Sequence, residues 1–189
     1  MFYSMHFYDR ENGKYSNVKK VVVKEGITSV DGFAFLSKLK SVSLPSSLKR
    51  IGFDAFSDCR ALETVTMKEG LETIEACAFF CNNSLKEIHI PDTVTKIGQQ
   101  AFDGCTSAKT VHISKNLQVV SDLMFSKCTS LGSVVIPEGV KGLPYGTFYG
   151  CKKLSSVKLP SKLESIGSTA FIGCTNLKEI EIPSTVRDW

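Results

Sequence analysis

The stretch from Leu85 to Ser107, LKEIHIPDTVTKIGQQAFDGCTS, decides the fold, because almost everything after residue 17 is this segment written again. Leu39, Leu62, Leu85, Ala108, Leu131, Leu154 and Leu177 fall 23 residues apart. Phe56, Phe79, Phe102, Phe125, Phe148 and Phe171 keep the same spacing, as do Ile51, Ile74, Ile97, Val120, Leu143, Ile166 and Trp189. A strict period of this size predicts a solenoid, in which each coil hides its apolar side chains only by stacking on its neighbours.

Within one coil, Leu85, Ile88 and Ile90 point inward from a strand that Pro91 ends, since proline has no N–H to give a sheet ladder. Equivalent strands stack into a parallel sheet with neighbours ~4.8 Å apart. The alternation returns in Val94-Thr95-Lys96-Ile97-Gly98, which predicts a second, narrower ladder. Ala101-Phe102 then comes back through a helical or 3₁₀ turn with the Phe inward, and a Gly104-Cys105 corner closes the coil. The first coil, Val18 to Lys38, is two residues short. Phe35 stands four residues before Leu39 whereas Phe56 stands six before Leu62, which puts the deletion after the Phe. Full copies start at Leu39, Leu62, Leu85, Ala108, Leu131 and Leu154, and the copy from Leu177 stops at Trp189. Residues 18–189 therefore read as one structural domain of about seven and a half coils with eight strands in the main sheet.

Residues 1–17 read as a capping hairpin around Asn12-Gly13, with Phe2, Tyr3, Phe7, Tyr8 and Tyr15 as a lid over the first coil. They do not read as a secretory signal, because Ser4, His6, Asp9 and Arg10 interrupt the apolar run such a signal needs. At the other end Trp189 sits in a core column. Either it caps the core itself, or the protein continues, or two chains associate end to end.

Hydrophobic residues make up 42% of the 189, enough for one long shared core. No apolar run approaches the ~18 residues of a membrane helix, which argues against membrane insertion. The charge of +4 and pI near 8.6 come from interspersed Lys and Glu. Without a basic stripe carrying stacking aromatics, no nucleic-acid partner is expected.

Five of the seven cysteines, Cys59, Cys105, Cys128, Cys151 and Cys174, share one repeat position, where the Leu62 copy has Asn82. They read as a ladder of small buried thiols, with Cys77 and Cys81 left over as candidates for a bridge. The odd count and the lack of a CxxC pair argue against a zinc site or a full disulfide set. His89 and His112 take equivalent outward positions on adjacent strands, ~5 Å apart. They read as an exposed cross-strand pair able to grip a metal ion only weakly, with Glu87 the one carboxylate in their columns nearby. No metal or cofactor is expected. The only other histidine is His6, so a catalytic triad has little material, and no phosphate-binding glycine motif is present. The chain is not expected to be an enzyme. Asn82-Asn83-Ser84 is a glycosylation sequon.

Two outward columns define the candidate partner-binding surface on the concave face of the main sheet. One runs Ser41, Thr64, Glu87, Thr110, Ser133, Ser156 and Glu179, and the other contains His89, His112, Val135 and Lys158. Short polar side chains leave this face open to a macromolecule and unable to enclose a small substrate. Lys49 beside Glu72, and Lys141 beside Glu164 beside Arg187, make the second ladder look structural.

The unit L-x-x-I-x-I-P-x-x-V-x-x-I-G-x-x-A-F-x-x-C, as in Leu85 to Cys105 and Leu154 to Cys174, resembles the BspA-type leucine-rich repeat, also called the Treponema pallidum type. The departures are Met124 and Thr147 for the Ala, and Asn82 for the Cys. The resemblance implies a right-handed leucine-rich-repeat solenoid of the α/β class, rich in β. It also implies a surface or secreted adhesin of host-associated bacteria or protozoan parasites, binding host matrix or cell-surface proteins. An intracellular, cytoplasmic protein-interaction scaffold is the alternative, since free thiols fit a reducing compartment.

Overall fold

The computed structural model describes residues 17–189, so the capping hairpin expected over 1–17 lies, Asn17 apart, outside the described residues. Two kinds of strand occur, numbered together in chain order. The three-residue strands are β1 (Lys20–Val22), β3 (Ser41–Ser43), β5 (Thr64–Thr66), β7 (Glu87–His89), β9 (Thr110–His112), β10 (Ser133–Val135) and β12 (Ser156–Lys158). The two-residue strands are β2 (Ser29–Val30), β4 (Arg50–Ile51), β6 (Thr73–Ile74), β8 (Lys96–Ile97), β11 (Gly142–Leu143) and β13 (Ser165–Ile166). Every pairing is parallel and joins equivalent residues of successive coils, such as Val42 with Val65 and Ile88 with Val111. The 23-residue period is thus the register of the sheet.

The main ladder is not continuous. It forms three sheets, β1-β3-β5, β7-β9 and β10-β12. Across the two gaps Lys86 N–H still donates to Glu63 O and Gly132 N–H to Lys109 O, each at 3.2 Å, so the coils stay stacked. The eighth strand expected from Leu177 is missing, because residues 177–182 form no ladder pairing.

The second ladder runs β2-β4-β6-β8 and extends by a bridge from Lys96 to Val119. It resumes as β11-β13 after a gap whose cause is chemical. At one position of most coils a backbone N–H reaches back to the previous coil, as Gly52 does to Val30 O (2.8 Å), Gly98 to Ile74 O (2.8 Å) and Gly167 to Leu143 O (2.6 Å). Pro144 occupies that position between Val120 and Leu143 and has no N–H to give.

The return segment is neither helical nor 3₁₀, and no helix occurs among the described residues, which corrects the helical or 3₁₀ turn expected at Ala101-Phe102. Two residues per coil, four apart, are left-handed. Asp54, Cys77, Gln100, Leu123, Gly146 and Thr169 form one such column, and Phe35, Asp58, Cys81, Gly104, Lys127, Gly150 and Gly173 the other. Left-handed residues cannot propagate a right-handed helix. Alternate N–H groups instead donate to the next coil, as Phe79 does to Ala101 O (2.8 Å) and Cys81 to Asp103 O (2.8 Å). The turns are a third ladder of backbone hydrogen bonds.

Inside, the phenylalanines stack from Phe33 to Phe171 with ring centroids 5.3–5.8 Å apart and planes within 12° of parallel. The first member corrects the sequence reading, since it is Phe33 and not Phe35. Val30 pairs with Ile51, a shift of 21, whereas Phe33 stacks on Phe56, a shift of 23. The two missing residues therefore precede the Phe. Phe35 falls in the left-handed column beside Asp58 and is 41% exposed.

Candidate binding face

On each three-residue strand the middle side chain enters the core, as Val42, Ile88 and Val134 do, and the flanking two face out. Register then places Ser41 beside Thr64, Glu87 beside Thr110, His89 beside His112, Ser133 beside Ser156, and Val135 beside Lys158. The two expected columns lie on one face except for Glu179, which is exposed beyond the last paired strand.

The most structured point of this face is the β7–β9 pair. The imidazoles of His89 and His112 stack with centroids 4.7 Å apart and planes 14° from parallel. Asp92 Oδ1 lies 3.5 Å from His112 Nε2, and Asp92 Oδ2 lies 2.8 Å from Lys115 Nζ. Hydrogen bonds from the Lys115 side chain and backbone hold the Asp92 carboxyl down at about 2, so it is a carboxylate throughout the ordinary pH range. Beside the pair, Glu63, Ser84, Lys86, Ser107 and Lys109 line an open, charged hollow that Glu87 and Thr110 border.

Asp92 and Lys115 were not singled out from the sequence, yet the signal was there, because they are one period apart. They belong to a wider device in which a carboxylate in one coil receives the turn N–H groups of the next. Glu25 takes Ser46 and Ser47 (both 3.1 Å), Glu69 takes Asp92 and Thr93 (3.2 and 3.1 Å), and Glu138 takes Ser161 (3.0 Å). On the second ladder Lys49 pairs with Glu72 at 3.0 Å and Lys141 with Glu164 at 3.1 Å, exposed contacts worth ~0–1 kcal/mol each.

All seven cysteines are free, including Cys77 and Cys81, so no bridge forms between them or elsewhere. The aligned five do more than pack. Cys59 Sγ donates to Phe33 O (3.1 Å), Cys105 to Phe79 O (3.4 Å), Cys128 to Phe102 O (3.3 Å), Cys151 to Phe125 O (3.1 Å) and Cys174 to Phe148 O (3.1 Å). Burial pushes the Cys59 and Cys151 thiols up to about 12 and raises the other five. At neutral pH these are protonated thiols, the inverse of an activated nucleophile. Asn82 is fully buried and occupied with Phe56 O, so the folded chain does not present the sequon to a glycosylating enzyme. Among the described residues no three His, Cys, Asp or Glu side chains converge as a metal cluster, and no helix is long and apolar enough to cross a membrane.

Comparison with known proteins agrees with this geometry. A crystal structure of a T. pallidum leucine-rich repeat protein is similar, with a TM-score of 0.80 and 34% identity, covering 86% of this chain and 79% of that one. A leucine-rich cell surface protein of Faecalibacterium prausnitzii superposes with a TM-score of 0.62 at 26% identity, covering 86% of this chain and 59% of the other. The pneumococcal vaccine antigen PcpA does so with a TM-score of 0.62 at 25% identity, covering 90% and 50%. Among curated proteins none matches. The family described as a BspA type leucine-rich repeat region matches in 6 copies over residues 13–84 and 78–189. Spanning nearly the whole stack of coils, that match establishes that the chain belongs to the BspA-type leucine-rich repeat family.

Proposed function

We propose that this chain is a non-catalytic protein-binding module of adhesin type, docking host matrix or cell-surface proteins on the face of the three-residue strands. The observation that carries the reading is the register of that face. Outward side chains of successive coils stand in fixed columns on a backbone braced by three ladders, so a partner meets a pre-organised surface and orders few groups on binding. Its side chains are mostly short and polar and lie on an open surface, which suits a broad protein partner better than an enclosed substrate. A surface location draws support from the family and from the F. prausnitzii relative, which is described as a cell surface protein.

The test is binding of the purified chain to immobilised matrix proteins and to whole cells, compared with the S133R/S156R variant. Two arginines on neighbouring strands should abolish binding and leave the unfolding curve unchanged; undiminished binding would move the site off this face. A second reading, an intracellular scaffold, is favoured by the seven free thiols, since exported domains commonly cross-link theirs. Antibody labelling of intact against permeabilised source cells separates the two, because a scaffold is reached only after permeabilisation.

A further inference from the structure

His89 and His112 are directly paired residues of β7 and β9. Both are exposed, with rings stacked 4.7 Å apart. Two features distinguish them from an incidental pair. The Asp92 carboxylate sits 3.5 Å from Nε2 of His112, and Lys115 holds it there. At that distance the carboxylate is an ion-pair neighbour of the ring rather than a hydrogen-bond partner, and its negative charge favours a cation beside the pair. Glu87, two residues before His89 on the same face, brings a carboxylate to the same side.

We propose that His89 and His112 form a two-imidazole site for a divalent transition-metal ion of the nickel or zinc type, with the Asp92 carboxylate adding negative charge beside it. Adjacent ligand nitrogens at ~2.1 Å from an ion stand about 3 Å from each other. From a stack 4.7 Å apart and 14° from parallel the two rings must swing until both planes meet at the ion, because each lone pair lies in its ring plane, and exposed side chains make that rotation without disturbing the core. Water fills the ion's remaining positions. With two protein ligands the site is weak, and it binds through neutral imidazoles only.

The probe is nickel(II) alone, chosen because copper(II) would oxidise the thiols, titrated into the full chain at pH 7.5 and followed by calorimetry and equilibrium dialysis. One ion per chain is expected, with at least tenfold weaker binding in His89→Gln and in His112→Gln and unchanged binding in His6→Gln. Denaturant curves of the variants should overlay the parent, since both rings lie outside the core. Nickel binding that survives both His89→Gln and His112→Gln, or that disappears in His6→Gln, would overturn the proposal, as would a parent chain that binds no nickel. The outcome is independent of whether the face docks a protein.

Discussion

The side-chain amide of Asn82 donates to the carbonyl of Phe56 at 2.9 Å, in the position where other coils place a cysteine thiol on the carbonyl of a stacked phenylalanine. The column therefore selects a small donor, and hydrophobic packing alone does not define it. Asparagine meets that demand at a cost, because its Oδ1 is buried with no hydrogen-bond partner among the described residues.

From this, Asn82→Cys should stabilise the chain by ~1 kcal/mol. The thiol keeps a donor for Phe56 O and removes an orphaned acceptor, whose burial costs ~1–3 kcal/mol. Urea titration of the two proteins checks it, and a loss of stability in the variant would show that Oδ1 is satisfied in solution.

The phenylalanine stack makes a positional prediction. Phe102 is fully buried between Phe79 and Phe125, so Phe102→Ala should cost ~3–5 kcal/mol. Phe171 is only partly buried and stacks on Phe148 alone, so its truncation should cost clearly less. Denaturant midpoints that rank the two equally would contradict the stack as the main load on stability.

Gly98 is required for closeness rather than for a left-handed backbone. A Cβ there would stand 2.3 Å from Ala76 N and 2.7 Å from Ala76 Cα, contacts with backbone that no rotamer relieves. Gly98→Ala should destabilise by ~1–3 kcal/mol and weaken the bond from Gly98 N–H to Ile74 O. Thermal unfolding measures the first effect, and faster amide exchange at Gly98 measures the second.

The thiols predict an alkaline limit. Burial raises the Cys59 and Cys151 thiols to about 12 in the folded chain, whereas in the unfolded chain they ionise near ~8.5. The folded state therefore keeps protons that the unfolded state releases as pH rises. This stabilisation is complete below ~8.5 and is lost between there and about 12, at up to ~1.4 kcal/mol per pH unit for each buried thiol. The urea midpoint should fall between pH 7 and pH 10, and fall less in Cys59→Ala than in the parent. A midpoint independent of pH over that range would rule the mechanism out.

The sequence alone determined which residues are equivalent. In a solenoid with parallel ladders the repeat length is the register, so columns 23 residues apart fixed the stack, both ladders, the inward phenylalanines and the outward faces. The glutamate and aspartate residues that cap the next coil's turn were legible in the same way, as one-period pairs. What only the tertiary structure decided was everything governed by backbone direction. Both Phe33 and Phe35 fit an apolar column, and the choice fell to Phe33 because a coil that must meet its neighbour's N–H and C=O groups absorbs its deletion before the stack. Whether Ala101-Phe102 turned helical depended on hydrogen bonds to other coils, which local pattern does not carry. The β5–β7 and β9–β10 gaps, the thiols donating to phenylalanine carbonyls, and Asp92 closing on His112 belong to the same class. Periodicity says which residues meet, and the satisfaction of each polar group, settled in three dimensions, says how.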